Sequence, residues 1–300
     1  MSSDFWAGYI SGAAGILIGN PLDLIKVRLQ AGQPRDPFLA SPQARGGSYL
    51  EAATSFARGA AAPILGYGAL NALLFVAYNR ALKALDPSIS DPTSIDEVSL
   101  TKIWLAGATG GMASWIVSSP TELIKCRAQL SRDRHTSSWS IARDIFRTNG
   151  ARGLYFGGLI TSIRDSVGYG FYFWSYELCK RGISSPDDTA HQETLKVLAC
   201  GGIAGIATWT SIFPLDVVKT RLQNQPLDTI SRGQEPQREP LLRSSDTRVL
   251  GSWEIARQAY RTEGLQVFVR GLGTCNIRAF IVNAVQWAVY EWLMTELNKH

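Results

Sequence analysis

Apolar residues in this chain are gathered into six long segments separated by polar connections. Three of these segments end in a run that mixes apolar and charged residues: 5–30, 101–130 and 195–223. The other three, 60–85, 158–181 and 272–297, alternate with them along the chain. Each is at least as long as the roughly 20 residues that a helix needs to cross a bilayer. The pattern therefore predicts six membrane-spanning helices, which places both termini on the same side.

The polar connections differ in charge, which indicates the side of the membrane on which they lie. Segment 131–156 is rich in arginine, whereas 86–99 contains four acids and no lysine or arginine. Positive charge favours the interior side, so we expect 31–57, 131–156 and 224–270 to lie there. Each is predicted to contain a short amphipathic helix, near 49–57, 138–147 and 252–262. The polar, proline-rich stretch 224–248 is interpreted as a flexible insertion.

A motif of charged residues occurs three times, at the end of each mixed segment. Counting from a proline, the second residue is an acid, the fifth is a lysine and the ninth is a glutamine. The copies are Pro21, Asp23, Lys26 and Gln30; Pro120, Glu122, Lys125 and Gln129; and Pro214, Asp216, Lys219 and Gln223. The period near one hundred residues predicts three tandem repeats, 1–95, 96–190 and 191–300, which close around one axis into a single domain.

Helix geometry suggests what the motif does. A proline inside a helix removes a hydrogen bond and kinks the helix, while an acid and a base three residues apart share one helix face. Three such faces meeting at the axis can form a ring in which each acid contacts the base of the next repeat. The expected pairs are Asp23–Lys125, Glu122–Lys219 and Asp216–Lys26. Glycine pairs in a GxxxG pattern lie thirteen and nine residues before each proline, which lets helices approach closely.

Composition narrows the classes of function. Apolar residues make up 45% of the chain and charged residues 18%, which is low in charge for a soluble domain. The net charge of +5 is spread out, without the aromatic and basic pattern of a nucleic-acid-binding protein. The four cysteines show no metal-binding spacing. We therefore expect a protein that is not an enzyme, with no cofactor, no metal site and no nucleic-acid partner.

The three motifs make the chain resemble the mitochondrial carrier family over essentially its full length. The resemblance implies an all-α membrane protein with six transmembrane helices in three pseudo-threefold repeats. It places a short matrix-side amphipathic helix in each repeat and a central cavity between them. It also implies alternating-access transport of a small-molecule substrate by a monomer in the mitochondrial inner membrane. Both termini would face the intermembrane space, and the surrounding bilayer would supply cardiolipin at the matrix side.

The resemblance assigns two gates to the cavity. In the family the ring of motif charges closes the matrix side, and Gln30, Gln129 and Gln223 would brace it. A second ring with the pattern [FY][DE]xx[KR] closes the cytoplasmic side, and only repeat 2 keeps the whole pattern. The corresponding residues are Tyr78 and Asn79 in repeat 1, Tyr176, Glu177 and Lys180 in repeat 2, and Tyr290 and Glu291 in repeat 3. We expect the weaker cytoplasmic gate to favour the state open to the intermembrane space.

The substrate site is expected where the repeats disagree. Counting seven residues from Gly59, Gly157 and Gly271 gives Gly66, Arg164 and Arg278, which the family uses as substrate contact points. They lie about 10 Å along their helices, at a depth where charges are usually functional or paired. A structural role for Arg164 and Asp165 is the alternative.

The charges at these positions suggest the kind of substrate. An arginine fork can hold a carboxylate, Asp165 can face an ammonium group, and Trp209 can offer a cation–π surface or simply pack. The surrounding residues resemble the branch that carries carnitine, acylcarnitines and amino acids. Ornithine-type carriers have an additional acid where this chain has Leu70, beside Asn71, which favours a zwitterion such as carnitine over a basic amino acid. A carrier fold without ordinary exchange, as in uncoupling-type or pseudo-carriers, is a third interpretation.

Overall fold

The structure is a computed structural model that describes residues 2–30, 61–87, 98–130, 137–183, 190–225 and 250–297. The described part is helical, which confirms the predicted all-α fold. Its long helices are α1 (Ser2–Gln30), α2 (Ala61–Leu85), α3 (Leu100–Leu130), α5 (Gly158–Ile183), α6 (Ala190–Gln223) and α8 (Leu272–Leu297). Shorter elements are α4 (Ser138–Leu154), α7 (Ser252–Glu263) and a 3₁₀ turn at Leu265–Phe268. The predicted helix at 49–57 and nearly all of the predicted insertion at 224–248 lie outside the described residues.

The six long helices pack side by side in a closed ring. Helix α3 lies between α2 and α5, and α6 lies between α5 and α8. Helix α1 packs mainly on α8 and makes a smaller contact with α2, which completes the ring. This arrangement brings the ends of α1, α3 and α6, which carry the repeated motif, to one common axis.

Polarity in this ring is opposite to that of a soluble protein. Large apolar side chains lie on the outside, with Leu65 79% exposed and Leu159 77% exposed. Charged side chains such as Asp23 and Lys26 are instead buried between the helices. Among the described residues, four stretches are long and apolar enough to cross a membrane: Gly8–Val27, Ala62–Leu85, Leu195–Gln223 and Leu265–Val282. Apolar surface outside and charge inside are what lipid around a polar cavity requires.

The glycine pattern acts where α3 meets α5. A Cβ atom added to Gly107 would lie 2.7 Å from the backbone oxygen of Tyr169, and one added to Gly111 would lie 2.3 Å from that of Asp165. Any larger residue would therefore push these two helices apart. At Gly201, which corresponds to Gly107 in repeat 3, an added Cβ would meet nothing within 4 Å. The repeated pattern thus produces a close backbone contact in repeat 2 that repeat 3 does not reproduce at this position.

Prolines and glycines shape the helix ends near the motif. Pro21, Pro120 and Pro214 all lie inside continuous helices, so the predicted kinks remain a prediction. The connections into α5 and α8 each use two glycines with positive φ, a backbone conformation that favours glycine. They are Gly150, at a kink inside α4, and Gly157 before α5, and Gly264 and Gly271 before α8. These turns set where α5 and α8 begin, and so the depth at which Arg164 and Arg278 lie.

Candidate functional site

A ring of six charged residues lies where α1, α3 and α6 approach the axis, and we call it the ion-pair ring. Lys26 Nζ lies 2.6 Å from Asp216 Oδ2, Lys125 contacts Asp23, and Lys219 contacts Glu122. Each pair joins two different repeats, in the arrangement that the sequence predicts. The side chains of Asp23 and Asp216 are 8% and 6% exposed, whereas that of Glu122 is 29% exposed. The pair between repeats 2 and 3 is thus the most accessible of the three.

Two arginines, Arg164 on α5 and Arg278 on α8, also contact this ring. Arg164 Nη1 donates to Glu122 Oε2 at 2.7 Å, and its Nε lies 3.7 Å from Asp216 Oδ1. Arg278 Nε lies 2.5 Å from Asp23 Oδ1. Each ring acid is therefore close to a ring lysine and to a cavity arginine. The predicted substrate arginines and the predicted gate form one connected network of charges.

Asp165 is buried beside Arg164 and is already well partnered. Its Oδ1 lies 3.3 Å from Arg164 Nη2, and Ser118 Oγ donates to its Oδ2 at 2.5 Å. Burying a carboxylate is costly unless charges and hydrogen bonds compensate it, and these two contacts do so. Ser118, on α3, is a site residue that the sequence analysis missed, because a serine in a transmembrane segment carries no distinctive signal.

Trp209 lies close to a lysine of the ion-pair ring and to one of the two arginines. The Lys26 Nζ atom lies 3.9 Å from the centre of its ring, and the Arg278 Cζ atom lies 6.0 Å from it. Trp209 also lines a pocket between α5 and α6 together with Arg164, Asp165, Tyr169 and Tyr172. This pocket adjoins a second one that is lined by the ion-pair ring, Arg164, Trp209 and Arg278. Charged groups of both signs and aromatic surface thus face one continuous region.

The three motif glutamines have different environments. Gln30 Nε2 donates to Asp216 Oδ2 at 2.9 Å, and its Oε1 accepts from Thr220 at 3.0 Å. Gln129 instead donates to Asn20 Oδ1 at 2.9 Å. The buried side chain of Gln223 has no hydrogen-bond partner among the described residues. The structure therefore places Gln30, but neither of the other two, in direct hydrogen-bonding contact with a ring pair.

Two of the predicted substrate residues on α2 have contacts with neighbouring groups in the helix bundle. A Cβ atom added to Gly66 would lie 2.9 Å from Cγ2 of Thr121 on α3, so this position packs against a neighbouring helix. The Asn71 side chain donates to the backbone oxygen of Tyr67 in its own helix at 3.0 Å. Neither residue lines the two pockets described above, and nor does Leu70. Gly66 lies seven residues after its reference glycine, as Arg164 and Arg278 do, but it packs on a neighbouring helix whereas the two arginines line the pockets.

Comparison with known proteins identifies this architecture. The family model for mitochondrial carrier proteins matches residues 1–87, 96–187 and 190–300. The chain belongs to the mitochondrial carrier family. This membership makes it a membrane transporter and implies the mitochondrial inner membrane as its location.

Several curated relatives of this carrier match it over nearly their whole length. The mitochondrial arginine transporter BAC2 of Arabidopsis thaliana is 34% identical over 289 residues, which cover 96% of this chain and 89% of that protein. The mitochondrial basic amino acids transporter of Bos taurus is 34% identical over 300 residues, which cover 96% of this chain and 90% of that protein. The human mitochondrial carnitine/acylcarnitine carrier protein is 30% identical over 306 residues, which cover 97% of this chain and 93% of that protein.

The predicted cytoplasmic gate of the carrier is organised differently from the ion-pair ring. Tyr78 is buried and stacks on Phe173, with the ring centres 4.2 Å apart. Tyr176 stacks on Tyr172, with the ring centres 6.5 Å apart. Glu177 is 1% exposed and accepts from Arg181, one turn further along α5, at 2.8 Å. Asn79 and Lys180 are half-buried. The side chains of Tyr290 and Glu291 lie outside the described residues.

Arg181 is a partner that the sequence analysis missed at this end of the cavity. Its spacing of four residues from Glu177 is a known signal for an ion pair within one helix. Its Nη2 also donates to the backbone oxygen of Val98 at 2.7 Å. Glu177 is therefore held within repeat 2, where the family pattern would direct it towards repeat 3.

A second missed group of contacts lies just beyond the ion-pair ring. Arg221, two residues after Lys219, donates from Nε to the backbone oxygen of Gln30 at 3.0 Å. Its Nη2 lies 2.6 Å from Glu263 Oε1 at the end of α7. The hydrogen bond and positive charge of Arg221 lower the pKa of Glu263 below its usual value. Arg221 therefore ties α6 both to the end of α1 and to the short helix α7.

Proposed function

We propose that this carrier exchanges basic amino acids such as arginine across the mitochondrial inner membrane by alternating access. The observation that carries the proposal is the pair Arg164–Asp165, buried at 12% and 4% side-chain exposure and facing the same pocket as Trp209. Such a site can bind a carboxylate and a cation together. The names of the 34% identical relatives, an arginine transporter and a basic amino acids transporter, support the basic class.

The substrate carboxylate binds to an arginine fork in this proposal. Arg278 and Arg164 can each offer paired N–H groups that match the geometry of a carboxylate. Asp165 faces the α-ammonium group, and the side-chain cation extends towards Glu122, the most exposed acid of the ion-pair ring. The mixed site thus assigns each charge of a basic amino acid to a group of opposite sign.

The same contacts would link binding to opening. Arg164 is bound to Glu122, and Arg278 lies beside Asp23, so an incoming carboxylate competes with the ring acids for these arginines. Drawing an arginine away removes one of the cations that stabilise each acid in a low-dielectric site. The ion-pair ring would then open on its own side, which we propose to be the matrix side. With the weaker ring towards the intermembrane space, the resting carrier would be open there, and both termini would face that side.

A zwitterion such as carnitine is the second candidate. The network holds five cations against four acids: Lys26, Lys125, Lys219, Arg164 and Arg278 against Asp23, Glu122, Asp165 and Asp216. This excess favours a substrate with no net positive charge, and Leu70 supplies no further acid. The 30% identity to the human carnitine/acylcarnitine carrier supports the same class. In either case we propose a monomer that cardiolipin contacts at the matrix side.

A panel of substrates in liposomes tests the proposal. Purified carrier is reconstituted with internal arginine, and uptake of labelled arginine, lysine, ornithine, carnitine, an acylcarnitine and a neutral amino acid is compared. Rapid exchange of the basic amino acids supports the first candidate. Exchange of carnitine alone supports the second, and no exchange of any member favours a carrier fold without ordinary exchange.

A further inference from the structure

Two of the four cysteines lie side by side where α5 packs against α6. The thiol of Cys179 on α5 is in hydrogen-bond contact with that of Cys200 on α6, and both cysteines are free. The other two lie elsewhere, since Cys126 lines the pocket of the ion-pair ring and Cys275 packs in the core beside Phe213. We call Cys179 and Cys200 the thiol pair.

The register of the two helices supports this contact independently. A Cβ atom added to Gly168 on α5 would lie 3.3 Å from Cγ2 of Ile212 and 3.6 Å from Cγ2 of Thr208 on α6. Cys179 lies eleven residues after Gly168 on α5. Cys200 lies eight residues before Thr208 and twelve before Ile212 on α6. At the rise of an α-helix both cysteines are about 15–16 Å from that contact, in the same direction along the antiparallel pair, so they lie level with each other.

The two thiols differ in their access to water. Cys179 is half-buried and lies four residues before the end of α5 at Ile183, where residues 181–183 are exposed. Cys200 is only 3% exposed. A small oxidant from the aqueous phase therefore reaches Cys179 first, with Cys200 directly behind it. An accessible cysteine with a second cysteine in contact is the arrangement that makes thiol oxidation reversible, because the second thiol resolves the oxidised first one.

We propose that the thiol pair is a redox-modification site, at which hydrogen peroxide converts Cys179 and Cys200 into a reversible disulfide between α5 and α6. The sulfur of Cys179 takes one oxygen atom from the peroxide, whose O–O bond breaks, and becomes a sulfenic acid while water leaves. The sulfur of Cys200 then attacks that of Cys179, the S–O bond breaks, and a second water leaves. Overall the two thiols lose two hydrogen atoms, and one hydrogen peroxide is reduced to two molecules of water.

The position of the thiol pair gives this bond a consequence for transport. It joins repeat 2 to repeat 3, and Tyr176 and Glu177 of the predicted cytoplasmic gate lie within one turn before Cys179. Alternating access requires the repeats to move relative to one another at this end of the cavity. A disulfide fixes its two sulfurs about 2 Å apart, so α5 and α6 can no longer separate there and exchange slows. This consequence rests on the proposed function, whereas formation of the bond does not.

Peptide mass spectrometry tests bond formation without any substrate. Purified carrier is treated with hydrogen peroxide, its remaining thiols are blocked, and it is digested without reductant. We expect a linked peptide that joins Cys179 to Cys200, lighter by two hydrogen atoms than its two parts together and separated by dithiothreitol. The same peptide should form in Cys126→Ser/Cys275→Ala, which leaves the thiol pair as the only cysteines of the chain. Absence of this peptide, or linkage of other cysteines in its place, would overturn the proposal.

Exchange in liposomes tests the effect on transport. Cys126→Ser/Cys275→Ala is compared with the same protein carrying Cys179→Ser, the matched control, and each oxidised rate is divided by the reduced rate of that variant. The carrier with the thiol pair should lose most of its exchange on oxidation and regain it with dithiothreitol, whereas the control should keep its rate. Equal losses in both, or no loss in either, would overturn the regulatory role.

Two further outcomes stay interpretable. If the two-cysteine carrier does not fold, wild type and Cys179→Ser take its place in the comparison, and the same difference in oxidised exchange is expected. If the wild type exchanges no member of the substrate panel, the proposed function fails, while the linked peptide still decides whether Cys179 and Cys200 form a disulfide.

Discussion

Arg164 on α5 donates to the carboxylate of Glu122 on α3 at 2.7 Å, so a cavity arginine and a ring acid share one contact. Glu122 at the same time contacts Lys219 of the next repeat. The group expected to bind substrate is therefore part of the structure expected to close the cavity. In the proposed mechanism, recognition and closure therefore depend on the same set of charges.

Replacing Arg164 with lysine should weaken substrate binding while the protein still folds. Lysine keeps the charge but lacks the planar fork, so it cannot bind the substrate carboxylate through two parallel hydrogen bonds. Loss of charge-assisted hydrogen bonds of this kind costs about 1.5–3 kcal/mol, which corresponds to a roughly ten- to hundredfold rise in KM. Initial rates of exchange in liposomes at several substrate concentrations measure this KM. The exposed Arg143 on α4 provides the control, since Arg143→Lys should leave KM unchanged. A wild-type KM for Arg164→Lys would exclude Arg164 as a substrate ligand.

The close contact between α3 and α5 predicts different outcomes for two equivalent glycines. Gly107→Ala places a methyl group 2.7 Å from the backbone oxygen of Tyr169, and overpacking of this kind costs about 1–3 kcal/mol. Gly201→Ala, at the corresponding place in repeat 3, should be neutral or stabilise by up to about 1 kcal/mol, because alanine favours helix. Thermal unfolding of the two variants in one detergent compares them. Equal Tm values would mean that α3 and α5 can accommodate the added methyl group without loss of stability.

The Arg221–Glu263 contact predicts a pH-dependent contribution to stability. The pKa of Glu263 is lowered in the folded protein, so its contribution is present above the ordinary carboxyl pKa and is lost as the pH falls through the folded value. At pH 7 Glu263→Gln should lower Tm only slightly, by an amount equivalent to about 1 kcal/mol or less, since the pair is partly exposed. The difference from wild type should vanish in acid, below the usual range for glutamate. A difference that stays constant from pH 7 into acid would assign the effect to packing.

Some of this network could be predicted from the sequence because it depends on local periodicity. The spacing of Asp23 and Lys26 fixes a shared helix face, and its threefold repetition fixes which faces meet. With each acid assigned to the base of the next repeat, these two facts predict the pairing of Lys26 with Asp216. The amphipathic helices after α3 and α6 were also predictable, because their patterns and flanking glycines are local as well.

Other contacts could not be predicted because they depend on how each helix is rotated and packed. Gly66 matches Arg164 by counting, yet it faces Thr121 on the neighbouring helix. The contact of Glu177 with Arg181 differs from these, because its spacing of four residues within one helix made it predictable although the sequence analysis missed it. The contact of Lys26 with Trp209 depends on side-chain conformation across an interface, which a repeat pattern does not specify.

Exchange by Arg278→Ala is the measurement that tests the central claim most directly. The claim is that a substrate carboxylate binds the cavity arginines in competition with the ring acids. Uptake of labelled substrate into preloaded liposomes is compared for wild type, Arg278→Lys and Arg278→Ala, with Tm as the check on folding. The account predicts that Arg278→Ala folds but loses exchange, with Arg278→Lys retaining a part of it. Uptake by folded Arg278→Ala at the wild-type rate would contradict the account.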